Sequence, residues 1–501
     1  MTGAGEGGGR GASSAGGGPE GVRPEPGRLA YLALLATTMI GTLSGNVINA
    51  PLAAIRADFG VAEDKAVLAV AAFTLAMVVF VPLAGWLCDR FGSIRVLLVG
   101  IVLMVLAQGL AVFSVNLEML VALRVAQGAA CSTFPPGVQR ALVDLFPSKG
   151  PAALAAWASA IGVGQAIGPP LGGFVSDLVG WRGVFVVQAV FCAVVALVVL
   201  TQVPRGPGRP TPVHRAGMLA LMLAMGGASV FVTLVGQRAG LTWEIVSGVV
   251  AAACMVAFLL LSVRHPESLP TPRSLLEKRF LRATVGAWAP MLVMGVTLVS
   301  LPLYLAEIVG LSSGWVGLVM FTMALAMAAS GRMNATFGRR YSLRVEAEAG
   351  LLVLGAAALV LGFWTRAGFR RFEAGGGEVL LSTGGAGAGG AGGFGVGAGS
   401  GGVAGDVVLQ IAGIVVLLAL MGSALNAAQS TAAYSISRSE TARNPMAFGI
   451  HNTSRFLGMA IGYAWAALVY PTGGFVLLFV GAALVALFAW AVVLIGGPLE
   501  D

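Results

Sequence analysis

Fourteen times along its 501 residues the chain runs through about twenty mostly apolar residues before a polar turn interrupts it, the length a helix needs to cross the hydrocarbon core of a bilayer. The runs fall near 29–55, 66–87, 95–114, 118–142, 152–177, 183–203, 216–236, 244–263, 283–306, 312–335, 347–365, 407–436, 449–470 and 473–495. In hydrocarbon every backbone N–H and C=O needs a partner inside its own segment, so such runs are expected to be helices. Composition agrees: 57% of residues are apolar, 10% are charged, and mean hydropathy is +0.89. An average soluble domain carries about 25% charge, and 30 Lys/Arg with 22 Asp/Glu cannot cover a water-facing surface of this size. The expectation is an all-α membrane protein whose main partner is the lipid bilayer, and a soluble enzyme or a secreted disulfide scaffold is demoted.

A net charge of +8 would point a soluble protein towards nucleic acid, but here the placement of the charges matters more. With the N-terminus inside, 21 of the 30 Lys/Arg fall in cytoplasmic segments, including Arg90, Arg95 and the stretches 205–215, 264–282 and 332–344. Seven fall outside: Arg56, Lys65, Arg182, Arg238, Arg366, Arg370 and Arg371. By the positive-inside rule this places both termini in the cytoplasm of a multi-pass protein integral to the plasma (inner) membrane, with no nucleic-acid partner. Cys88, Cys131, Cys192 and Cys254 stand singly in apolar stretches, and His214, His265 and His451 are too scattered to hold a metal.

The organisation expected along the chain is a disordered Gly-rich cytoplasmic tail (1–28), a six-helix bundle (29–203), an extra helix pair with cytoplasmic linkers (204–282), a second six-helix bundle (283–495) and a cytoplasmic tail (496–501). The first segment holds 11 glycines and no apolar run, so no signal-peptide h-region is expected within it. Residues 366–405 hold 17 glycines and an Arg-Arg-Phe-Glu cluster; they are expected to form a flexible external loop, with a short amphipathic piece at Gly368–Leu381 as the alternative.

Three stretches carry residues that a lipid-facing helix does not need. Between the second and third runs stands Gly85-Trp-Leu-Cys-Asp89-Arg90-Phe-Gly92-Ser-Ile-Arg95; its glycines suit a tight turn, and Asp89 lies near a helix N-terminus, where negative charge is favoured. The fourth run carries Arg124-Val-Ala-Gln127-Gly128. An intramembrane arginine is costly and normally faces a partner or a water-filled cavity, with snorkelling to an interface as the alternative. The fifth run carries Gly162-Val-Gly164-Gln165-Ala-Ile-Gly168-Pro169-Pro170-Leu-Gly172-Gly173, small residues at helical spacing interrupted by a proline pair.

The first stretch resembles the loop signature of the major facilitator superfamily, in which the acid and arginine form a charge-relay latch. The second is similar to that superfamily's R-x-x-q-G pattern, whose arginine is implicated in proton coupling. The third, followed by Trp181-Arg182-Gly-Val-Phe185, resembles the antiporter motif of its drug exporters. Fourteen runs, with an extra pair between two sets of six, are similar to the EmrB/QacA-type drug:proton antiporters. So are Asn452-Thr-Ser-Arg455-Phe-Leu-Gly458 in the thirteenth run and Leu301-Pro302-Leu-Tyr304-Leu-Ala-Glu307 in the ninth. The stretch Gly331-Arg-Met-Asn-Ala335-Thr336-Phe-Gly338 is a degraded echo of the first loop, as two pseudo-symmetric halves imply. The resemblance implies a secondary active transporter exporting a small amphipathic molecule (drug, antibiotic or metabolite) by proton antiport with alternating access. A proton-independent facilitator or uptake carrier of the same fold is the alternative. No ATP site is expected, because the Gly-rich segments lack a Gly-Lys-Ser/Thr ending; no cofactor is implied, and the proton gradient is the expected energy source. Nor is there the clustered catalytic set of an enzyme.

The chain departs from the family in its first run, which reads Leu43-Ser44-Gly45-Asn46-Val-Ile-Asn49-Ala50-Pro51, with Ser44 where an acid is common. No carboxylate falls near the middle of a run, so coupling must use Glu307, Asp177, Asp58 or Asp89, or be absent. Glu307 reads equally as a partly buried proton carrier or an exposed rim residue. The residues expected in transport and coupling are Arg124, Asp89, Arg90, Glu307 and Arg455. The conformational motif comprises Gly85, Gly92, Gly164, Gly168, Pro169, Gly172 and Gly173. The substrate cavity is expected to be lined by Ser44, Asn46, Asn49, Gln127, Trp157, Gln165, Gln429 and Asn452. With Arg124 and Arg455 as the only deep charges, the set suggests a neutral or anionic amphipathic cargo.

Overall fold

The computed structural model describes residues 25–49, 51–61, 63–66, 68–311, 313–374, 401–441, 444–472 and 474–495. Among these the chain is helical throughout. The first half comprises α1 (Arg28–Asn46), α2 (Leu52–Phe59), α3 (Glu63–Ala66), α4 (Leu68–Phe91), α5 (Ser93–Ala111), α6 (Leu117–Cys131), α7 (Phe134–Leu145) and α8 (Pro151–Gln202). An inserted pair follows, α9 (Arg215–Gln237) and α10 (Leu241–Arg264), then the short α11 (Pro272–Leu275). The second half comprises α12 (Lys278–Leu303), α13 (Ser313–Tyr341), α14 (Leu343–Ala374), α15 (Gly401–Ser437), α16 (Pro445–Val469) and α17 (Phe475–Ile495). Among the described residues, ten helices are long and apolar enough to cross a membrane, against the fourteen runs expected.

The breaks have local causes. The run expected as one helix over 118–142 is two, because Pro135 and Pro136 remove donors just after the turn at Ser132–Thr133. The runs expected separately over 152–177 and 183–203 follow one another as the two limbs of α8, which break at Gly180, whose φ of 77° only glycine adopts without strain. Gly92 (φ 93°) makes the turn from α4 to α5, and a Cβ there would stand 2.7 Å from the Gly206 carbonyl oxygen. Both ends of the segment expected as a Gly-rich loop are helical: α14 runs on through Ala374, with Phe369 against Phe475 (ring centroids 5.7 Å apart), and α15 begins at Gly401. Residues 375–400 of that expected loop, residues 1–24 of the expected N-terminal tail and the tail 496–501 lie outside the described residues. Glu25, the start of the described chain, accepts hydrogen bonds from the Ser148 backbone N–H (2.7 Å) and Oγ (2.6 Å).

One end of the molecule gathers the α4–α5 turn, the α7 terminus, the linkers around α9 and α11, the α13–α14 turn and the end of α17, where an Arg344 Nη donates to the Leu494 carbonyl (2.8 Å). This basic face carries most of the arginines in the sequence. α9 packs on α4 and α16, one from each half, with Gly226 against Val79 and Gly236 against Ala464. α10 lies outside it and exposes Leu241, Trp243, Val249 and Leu260, the pattern of a helix whose outer surface meets lipid.

Candidate functional site

The helices place a layer of polar groups where the two halves meet. In the first half Arg124 on α6 is fully buried: Nε donates to the Ala69 carbonyl (2.9 Å), and Nη1 to the Ser44 carbonyl (3.1 Å) and Gln127 Oε1 (2.9 Å). The Phe73 ring lies 4.5 Å from the guanidinium carbon, a cation–π contact that helps hold a desolvated charge. Gln127 Nε2 donates to the Ala107 carbonyl (3.3 Å), so Gln127 orients Arg124 within its own bundle and does not face the space between the halves. Ser44 belongs to the same interior: its Oγ accepts from Gln108 Nε2 (3.4 Å), which also reaches Gln188 (2.9 Å).

The second half repeats the design with different partners. Arg455 on α16 is buried; Nε donates to Gln429 Oε1 (2.9 Å) and Nη1 to Asn452 Oδ1 (3.4 Å). Its guanidinium carbon lies 4.7 Å from the Trp157 ring of the opposite half. Gln429 is held in turn through its Nε2 on the Ala287 carbonyl (2.9 Å). Arg455, Trp157 and Gln165 border a small central cavity of about 30 Å³, together with Thr38, Thr42 and Met77. Gln165 also lines a cleft of about 770 Å³ that opens away from the basic face between α8, α12 and α13, floored by Pro169, Pro170, Gly173, Leu298 and Met323.

Between the level of Gln165 and the basic face, hydrogen bonds cross from half to half. Gln139 Nε2 donates to Asn452 Oδ1 (3.0 Å), Ser159 Oγ to the Met327 carbonyl (2.9 Å), and Asn426 Nδ2 to Ser159 Oγ (2.8 Å) and the Ala155 carbonyl (3.2 Å). At the rim Asp89 is paired with Arg140 of α7, whose guanidinium lies 4.8 Å from the Phe448 ring of the other half. Arg140 thus takes the place expected of Arg90, which is exposed at the end of α4 with no side-chain partner among the described residues. Its signal in the sequence was weak: Arg140 lies 51 residues beyond Asp89.

The glycine motif works inside the first half. Gly164, Gly168 and Gly172 face α1, and Cβ atoms there would stand 2.4 Å from the Met39 carbonyl oxygen, 3.3 Å from Asn46 Cβ and 1.9 Å from the Val47 carbonyl oxygen. α1 and α8 therefore touch backbone to backbone. Gly85 is buried in α4. Asn46 packs in the α1–α8 contact, and its Nδ2 donates to the Thr42 carbonyl (3.0 Å). Asn49 is exposed, because α1 gives way to a 3₁₀ turn over Val47–Asn49 just before Pro51; the structure places it outside the cavity. Glu307 sits on a π-helical turn (Tyr304–Ile308), exposed, and accepts from the Tyr470 hydroxyl (2.9 Å).

Two further features escaped the sequence. At the face opposite the basic one, Asp58 accepts from Arg182 Nη1 (2.7 Å) and Trp181 Nε1 (3.2 Å), while Arg182 Nη2 reaches the Ser114 carbonyl (3.0 Å). The Arg182 hydrogen bond holds the Asp58 carboxyl below the usual carboxylate range. Glu346, in the first turn of α14, is buried and accepts from Ser430 Oγ of α15 (3.4 Å); in the sequence it stands just before the run expected over 347–365.

The model of the Major Facilitator Superfamily matches residues 33–392. The chain belongs to the Major Facilitator Superfamily. Similar curated proteins include the multidrug export protein EmrB of Haemophilus influenzae, 25% identical over 325 residues, which are 63% of each chain. The fatty acid resistance protein FarB of Neisseria gonorrhoeae is 26% identical over 333 residues, 64% of each chain. The match to EmrB thus spans just under two thirds of that relative's length. Among solved structures, the human organic anion transporter MFSD10 superposes with a TM-score of 0.59 at 16% identity, covering 93% of this chain and 98% of that one, which shows a shared fold. The chain's many apolar helices and its relatives mark it as an integral membrane protein of this superfamily, with multidrug-export proteins among those it resembles.

Proposed function

We propose that this transporter exports small amphipathic molecules from the cytoplasm by alternating access, in exchange for protons. The observation that carries the reading is the asymmetry about Gln165: polar bonds join the halves on the basic-face side, and a cleft of about 770 Å³ opens on the other. That is the arrangement of a carrier closed at one face and open at the other, with its site at the repeat interface. In this reading the basic face is cytoplasmic, as the arginine distribution requires, and both termini lie there in the plasma (inner) membrane. The crossings number fourteen: to the ten long apolar helices are added α6–α7, α13, α16 and the second limb of α8 beyond Gly180.

The proton carrier in this reading is Glu346. Asp58 and Glu307 face solvent, and Asp89 is bound to Arg140, whereas Glu346 is buried with a hydroxyl for a partner. Gln429 and Ser430, neighbours on α15, hold Arg455 and Glu346 respectively, which links the cavity to the acid through one turn of helix. Purified protein in proteoliposomes under an imposed pH gradient tests this: cargo movement against its own gradient is expected, and movement that ignores the pH gradient would leave only the facilitator reading.

A further inference from the structure

Three buried polar atoms border the central cavity without a partner among the described residues: Arg455 Nη2, Trp157 Nε1 and Gln165 Oε1. Two are donors, and one belongs to a cation. Arg455 is 1% exposed, Trp157 1% and Gln165 8%. The amide oxygens that Arg455 meets are neutral, and no carboxylate pairs with it among the described residues. A guanidinium taken out of water without a counter-charge is costly, and such residues persist in membrane interiors where a charge passes or binds. Arg124, the other deep arginine, also has Nη2 without a partner among the described residues, but its Nε and Nη1 go to two backbone carbonyls and an amide of its own bundle, and it does not border this cavity.

We infer that Arg455 and Trp157 form an anion-recognising pole of the cargo site, so that the exported molecule carries an acidic group, a carboxylate or acidic phenol, on an apolar body. This rests on the reading of the interface between the halves as the cargo site and deepens it. The acidic group completes the hydrogen bonds of Arg455 Nη2 and Trp157 Nε1 and supplies the missing counter-charge. The apolar body extends past Gln165 into the adjoining cleft, where Leu298, Met320, Phe321 and Met323 offer a flexible hydrophobic wall. A hydroxyl or N–H on the cargo satisfies Gln165 Oε1. Arg455 is in this view the residue that sets specificity, because two neutral donors would hold a carbonyl equally well, whereas the guanidinium discriminates by charge.

The test is equilibrium binding to the full chain in lipid nanodiscs with three probes that share one body: pyrenebutyrate, neutral pyrenebutanol and cationic pyrenebutylamine. The wild type is expected to bind the carboxylate at least tenfold more tightly than either analogue. Arg455→Gln is expected to erase that preference while holding pyrenebutanol within about threefold, and Arg455→Lys to restore part of it. The wild-type comparison needs no variant to fold. Equal binding of the three probes, or preference for the amine, would overturn the anionic class. If those equal affinities also fell on Trp157→Ala, the interface would remain the cargo site and only the charge inference would be lost. A carboxylate preference that survives Arg455→Gln would place the anionic pole elsewhere and overturn the assignment. Saturable binding of none of the probes to folded protein would overturn the charge inference and the cargo-site reading together.

Discussion

Arg124 and Arg455 look like the same device, one per half: a buried arginine on an aromatic ring with a glutamine oxygen on its guanidinium. Their surroundings separate them. Arg124 ties the backbones of α1 and α4 to α6, all in one bundle, while Arg455 rests on a tryptophan of the opposite bundle and borders the cavity. A guanidinium clasped by backbone fixes a rigid body; one held by side-chain amides and a ring across the boundary is free to exchange partners when the boundary moves. The first half therefore behaves as a unit, and change is concentrated where the second half meets it.

The largest expected effect sharpens that contrast. Arg124→Ala removes charge-assisted bonds to two carbonyls and Gln127 and leaves a cavity, a loss of roughly 3–5 kcal/mol. Arg455→Ala, whose amide partners can turn to each other, is expected to cost about half as much in stability. Thermal unfolding of the two variants in the same detergent measures this; equal losses would erase the distinction.

Glycines give the second comparison. Gly172 faces α1 inside the first half, and Gly162 faces Met327 across the boundary, where a Cβ would stand 2.6 Å from the sulfur. Gly172→Ala is expected to destabilise by about 1–3 kcal/mol, as overpacking against backbone does. Gly162→Ala is expected to leave the unfolding temperature within a degree or two and to slow transport several-fold, because methionine can shift but the closed boundary cannot form as tightly. Unfolding and initial transport rate, measured on both, decide it; identical profiles would contradict a rigid half.

Much of this was legible beforehand. Long apolar runs led to the helices, and the small residues at helical spacing in the fifth run led to a close helix contact, because close backbone approach needs residues without side chains; that its partner is α1 was not legible. Pairings between distant residues were not legible. Asp89 meets Arg140 only through the fold, Asn49 loses its place in the cavity because α1 ends in a 3₁₀ turn before Pro51, and Glu346 is buried by α15 rather than by its own helix.

A smaller effect is expected at Glu346. Glu346→Gln keeps the shape and the partner hydroxyl but cannot titrate, so uptake driven by a pH gradient should be lost while counterflow of cargo at equal pH persists within about twofold. Loss of both, or of neither, would remove Glu346 from coupling. The least effect belongs to the clasp on the opposite face. Because Arg182 lowers the Asp58 pKa, the clasp is fully formed above the ordinary carboxylate range and is lost only as pH falls through and below it. A pH gradient near neutrality therefore leaves it closed, and Asp58→Asn is expected to change the pH profile of transport between pH 6 and 8 by less than twofold.

The most direct measurement is a pair of spin-label distances across the boundary in nanodiscs, one at each face. Labels at Val143 and Arg438, both exposed, report the basic face, and labels at Phe174 and Leu318, exposed at the mouth of the cleft, report the other. On acidification or addition of cargo, the first distance is expected to grow while the second shrinks, as rocking of two halves about Arg455 requires. Two distances that stay fixed, or that lengthen together, would contradict it.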